Sequence, residues 1–259
     1  MTSEPPPFYV SDERGRLLPN DVCRGPWDPN SLHGRVLAGA LAHEMESRWG
    51  MPGFRPARMT VDMYRMPTFA PVEVTSQLVR EGNRIRVVDA ELTVGGVATA
   101  RASGVFLREA EQPDGTVWSP PGWHVPGPNE LPAPDTGGQP PMWETRVVDH
   151  GFGSTSQKRA WLRETRQLVE NVPLTPFVRA AFAADFTNPF ANSGSAGLQF
   201  VNADITLYLH RLPAGEWLGF EVVGHHSTDG IAVGECVIYD EGGPIGRSAV
   251  CGLANRRKP

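Results

Sequence analysis

The chain has 259 residues, 40% of them hydrophobic and 20% charged, with a net charge of −5. That is an ordinary globular composition, long enough for one large domain or two small ones. It offers no basic footprint for nucleic acid or an anionic membrane surface, and no apolar run nears the ~18–20 residues of a membrane span. Residues 1–26 read as an irregular lead-in: Pro5-Pro6-Pro7 cannot continue a helix or a central strand, and the polar start is unlike a signal peptide. Trp27-Asp28-Pro29-Asn30-Ser31 reads as a turn, in which Asn30 or Ser31 would cap a helix. From His33 to Trp49 the spacing of Leu37, Leu41 and Met45 predicts that helix. Its small residues, Gly34, Ala38, Gly39 and Ala42, suit close packing, and Gly50 and Pro52-Gly53 should end it.

Strands are expected near 57–65, 71–80, 84–94 and 97–108, separated by Pro67, Glu81-Gly82-Asn83 and Gly95-Gly96. Alternating polar and apolar residues suggest an antiparallel sheet covered on one face. Residues 109–141, rich in proline and without periodicity, read as a linker. Trp118, Trp123 and Trp143 suggest that it packs on the surface. Two more strands are expected around 143–149 and 157–167. Thr175-Pro176 has the form of an N-cap with proline at the first helical position, opening a helix to about 186. Strands near 199–211, 216–226, 230–239 and 245–256 follow.

Helix then antiparallel meander thus occurs twice, and one strand carries the repeat. Ala57 to Pro67 aligns without a gap on Ala203 to Pro213, with Ala, Thr, Arg and Pro recurring at matching places. Met59, Val61 and Met63 keep phase with Ile205, Leu207 and Leu209. A one-residue slip would turn the wrong face inward, so matched phase argues for matched architecture. Such a duplication points to a site between the halves. The division expected is 1–26 lead-in, 27–108 first unit, 109–141 linker and 142–259 second unit. Cys23, Cys236 and Cys251 are few and widely spaced, with no CxxC. They read as reduced thiols of a cytoplasmic protein, with no metal site.

Trp27…Leu32-His33-Gly34, Arg55 to Asp62, Ala183-Ala184-Asp185-Phe186, and Val201 to Arg211 followed by Gly215-Glu216-Trp217 together resemble the thioesterase-like family. Within it, the similarity is to double-hotdog acyl-CoA thioesterases, relatives of bacterial type II acyl-CoA thioesterase. The resemblance implies an α+β double hotdog: two tandem units, each a helix on a curved antiparallel sheet. It also implies hydrolysis of an acyl-CoA by direct attack of water, with no cofactor. In that family an aspartate at the end of the second helix, a threonine on the next strand and a glutamine on the last strand hold the water. Asp185 matches the first. Asn202 stands at the second, two residues before the strand aspartate Asp204. Counting back five from Arg256 puts Cys251 at the third.

His33 and Gly34 would contact the substrate, since free N–H groups at a helix start can polarise a carbonyl. Asp62 and Asp204 fall on the outward phase and read as structural. The departures at Asn202 and Cys251 keep a second reading open, an acyl-CoA or acyl-carrier binding protein without turnover. A dehydratase would need a histidine facing a carboxylate, with His33 its only candidate. The spacing contains no G-x-S-x-G, Walker A or dinucleotide fingerprint, and His225-His226 reads as a solvated pair rather than a metal site. Exposed sheet edges predict a homodimer.

Overall fold

The computed structural model describes residues 5–135 and 143–255. In chain order the elements are β1 (Tyr9–Ser11), β2 (Leu17–Pro19), α1 (Gly34–Trp49), β3 (Phe54–Met63), β4 (Val72–Glu81), β5 (Ile85–Val94) and β6 (Val97–Arg108). After the proline-rich stretch come β7 (Glu144–Val147), β8 (Arg159–Arg163), α2 (Pro176–Ala184), α3 (Thr187–Ala191), β9 (Ser193–Gly194) and β10 (Gly197–Leu198). The chain closes with β11 (Phe200–Asn202), β12 (Asp204–Leu209), β13 (Leu218–Thr228), β14 (Ile231–Asp240) and β15 (Gly243–Ala254).

The repeated segments are neighbours. β3 and β12 pair antiparallel, Asp62 opposite Asp204 and Thr60 opposite Thr206. They join the halves into one sheet ordered β1-β2-β4-β5-β6-β3-β12-β15-β14-β13-β8-β7, with β11 also on β15. Each half is a helix on an antiparallel meander, and the order reads alike outward from the β3–β12 seam. This is the tandem α+β double-hotdog arrangement.

The inward phase of the strands, including Met59, Val61, Ile205 and Leu207, is fully buried against the helices. Helix α1 is buried from Arg35 to Ala42, as suits a central rather than a surface helix. It runs antiparallel to α2, because the start of each meets the end of the other. A Cβ on Gly39 would lie 2.4 Å from the Phe182 ring, so glycine sets the helix spacing. At one end, Thr175 Oγ1 donates to Glu46 near the end of α1 while accepting from the Val178 amide as the N-cap of α2. At the other end stand His33 and Asp185.

Three expectations need correction. The lead-in is not irregular throughout: β1 and β2 form a hairpin, and Phe8 and Tyr9 are fully buried. Phe8 and Tyr9 donate amide hydrogen bonds to Gln167 O and Leu168 O, at 2.9 and 2.8 Å. Those partners are distant in sequence, so no local pattern shows them. Asn30 and Ser31 do not cap α1, since both are bound into the turn by Asp28, and His33 occupies the N-cap position. The strand expected over 199–211 breaks at Ala203 into β11 and β12. Trp123 packs on Trp161 and Tyr239, with ring centroids 5.1 and 4.4 Å apart, but Trp118 is 83% exposed. Residues 136–141 of the expected linker lie outside the described residues.

Candidate active site

A carboxylate at a helix C-terminus works against the helix dipole. Asp185 occupies that position on α2, and its surroundings show what compensates. The α2–α3 corner, tightened by Phe186 N–H to Ala183 O at 3.0 Å, aims Asp185 at the start of α1, whose positive dipole end favours an anion. Asp185 is 3% exposed. Its Oδ1 accepts from Asn202 Nδ2 at 3.0 Å, and its Oδ2 lies 3.1 Å from His33 Nδ1. Gly34 permits this approach: a Cβ there would sit 2.8 Å from Asp185 Oδ1.

Burial by itself raises the Asp185 pKa. The hydrogen bond and charge of His33, the Asn202 donor and the nearby Arg35 charge outweigh it, and the net shift is downward. Asp185 is therefore a buried carboxylate, a poor proton acceptor but a strong orienting partner. His33 Nδ1 also stands 3.2 Å from the Arg35 amide, and one nitrogen cannot serve both. The charge-assisted bond to the ionised carboxylate is the stronger. It assigns the proton to Nδ1 and leaves the Nε2 lone pair to the pocket. The Gly34 amide in the first turn of α1 has no protein acceptor among the described residues.

Asn202 ends β11 and is held by pairing opposite Gly252 of β15. One of its amide hydrogens goes to Asp185, which leaves its second hydrogen and its oxygen available. Around His33, Gly34, Asp185 and Asn202 lies a cavity of about 370 Å³, walled also by Trp27, Trp143, Phe152, Phe186, Asn188 and Leu198. Larger hollows of about 630 and 600 Å³ lie on the outer face of the first-half sheet and beside the β9–β10 hairpin. The smaller one is the better site candidate, because there a buried carboxylate, a histidine and a helix start converge within largely apolar walls.

Cys251 is not among these residues. It is exposed on the outer face, and its amide donates to Asp204. The residue one place earlier, Val250, faces inward and is 2% exposed. Strand parity accounts for the difference, since moving one residue reverses the face. Arg256, the origin of that count, lies outside the described residues. Asp62 pairs with Arg101 at 2.8 Å. Phe152 and Asn188 were not anticipated. Phe152 comes from a loop without periodicity, and Asn188 from α3, a short helix that Pro189 obscures.

Two family models match the chain: the acyl-CoA thioesterase N-terminal domain over residues 23–107 and the C-terminal domain over residues 109–250. The chain belongs to the acyl-CoA thioesterase family. Solved structures similar to this thioesterase-family chain include a hot dog fold protein from Alicyclobacillus acidocaldarius, at TM-score 0.75 and 15% identity over 94% of this chain and 93% of that one. The tesB protein of Mycobacterium avium subs paratuberculosis gives 0.69 and 16%, covering 93% of each chain. Acyl-CoA thioesterase II of Mycobacterium marinum gives 0.64 and 19%, covering 87% and 90%. At these identities the likeness is one of fold. A comparison with curated proteins returned no match. No helix among the described residues is long and apolar enough to cross a membrane.

Proposed function

We propose that this chain hydrolyses an acyl-CoA thioester to the free acid and CoA, with water as nucleophile and the His33–Asp185 pair as the activating group. The observation that carries the reading is the convergence of His33, Gly34, Asp185 and Asn202 on one apolar cavity. Asp185 holds His33 by Nδ1–H. Nε2 takes a proton from water as its oxygen attacks the thioester carbonyl carbon. The Gly34 amide and the free Asn202 amide hydrogen face the oxygen on which negative charge develops. The carbon–sulfur bond then breaks, and the departing sulfur takes the proton back from His33. Atoms balance with water alone, so no cofactor enters. The buried Cys23 and Cys236 thiols, each pushed up to about 12 by burial, stay out of the chemistry and fit a reducing cytoplasm.

The test is thiol release from a panel of acyl-CoA esters. His33→Ala and Asp185→Asn should each lower kcat by about 10²-fold or more, and Asn202→Ala by less. Wild-type rates in both variants would remove the site. Binding of acyl-CoA with no turnover by wild type would favour the binding-protein reading.

A further inference from the structure

The space between helix and sheet would be one course for an acyl group, but it is filled by buried side chains. Phe182, one turn before Asp185 on α2, is fully buried and pressed against the bare Gly39 backbone. Its ring lies 5.1 Å from that of Phe8. Further along, Phe106 and Phe177 meet edge to face at 6.2 Å, and the Gly104 backbone sits against Met45 Sδ. A linear chain leaving the carbonyl site toward the core would run into this packing.

The open volume lies on the other side, beneath aromatic walls. Phe186 stacks on Phe190 at 4.9 Å. Phe152 meets the Phe186 ring edge to face at 5.4 Å, and Trp143 does so at 6.2 Å. Trp27 closes the cavity on the first-half side. Phe152 is 58% exposed although it packs on two buried rings, so it forms the outer rim.

We propose that this site takes a thioester whose acyl group is short and carries an aromatic ring, of the benzoyl or arylacetyl type, rather than a long linear acyl chain. The inference rests on the thioesterase reading and sharpens it. A cavity of about 150 Å³ suffices for benzene, so the 370 Å³ here holds a ring, the thioester and the first atoms of the thiol arm. Edge-to-face and offset contacts at these ring spacings favour an aromatic guest over an aliphatic one of equal bulk.

The experiment compares phenylacetyl-, cyclohexylacetyl-, butyryl- and palmitoyl-CoA on the full chain. The expected kcat/KM for phenylacetyl-CoA exceeds that for palmitoyl-CoA by about 100-fold and that for cyclohexylacetyl-CoA by several-fold. Palmitoyl-CoA turned over as well as phenylacetyl-CoA overturns the proposal, and so does parity of phenylacetyl with cyclohexylacetyl. Phe152→Ala should shrink the phenylacetyl-to-butyryl ratio by about tenfold, chiefly through KM; an unchanged ratio counts against it. If no ester is hydrolysed, the thioesterase reading fails separately. Calorimetric binding of non-hydrolysable phenylacetyl and palmitoyl CoA thioethers then decides the acyl class by the same ratio.

Discussion

At the scale of single residues, motif and parity carried unequal information. His33 and Gly34 were legible as a predicted helix start, and Asp185 and Asn202 only through the family resemblance. The inward position on β15 was not, because parity is set by its pairing with β12, Thr206 opposite Ala249. Cys251 therefore belongs to the solvent face, where partial burial first, and then the neighbouring Asp204 and Asp62, raise its pKa. Native protein at neutral pH should take one equivalent of maleimide, at Cys251, since Cys23 and Cys236 are sealed. Cys251→Ala should leave turnover unchanged; mass spectrometry and the thiol assay check both. Asp185 gives a pH signature. Its folded pKa lies below the ordinary 3.8, so its stabilisation is present above that value and lost as pH falls through the folded pKa. The difference in Tm between wild type and Asp185→Asn should accordingly narrow as pH drops below about 4.

Among the elements, α1, α2 and the long strands announced themselves by pattern, and several turns by glycine, whereas α3 did not. What local pattern could not show was anchorage. Phe8 and Tyr9 look like stray apolar residues after three prolines, yet the segment is tied to residues 167–169 and fills the core beside Phe182. Phe8→Ala should cost about 3–5 kcal/mol, read by denaturant unfolding. The contact of α1 with α2 gives a second check. Gly39→Ala drives a methyl into Phe182 and should destabilise by about 1–3 kcal/mol. A neutral result would mean that the helices can part.

Over the whole molecule, the duplication and the assembly meet at the sheet. The terminal strands β1 and β7 have three and four residues, short edges that resist edge pairing. The outer face is different. Ile231 and Leu253 are cross-strand partners, 64% and 51% exposed, with Val233 alongside at 43%. A patch of this kind marks a contact surface, and we expect the homodimer to form there rather than at an edge. Light scattering should report a dimer for wild type and a monomer for Ile231→Lys.

The Thr175–Glu46 contact acquires its meaning from the seam. Thr60 and Thr206 are counterparts in the repeat and also pair with each other, so a local two-fold axis passes between them. That axis exchanges the start of α1 with the start of α2. His33 facing Asp185 therefore has a rotational counterpart: an N-cap on the other helix facing a carboxylate near the far end of its partner. In that second place stand threonine and glutamate, bonded directly and half-buried. The two ends of one repeated arrangement thus differ: one borders the hollow, and the other is closed by a clasp.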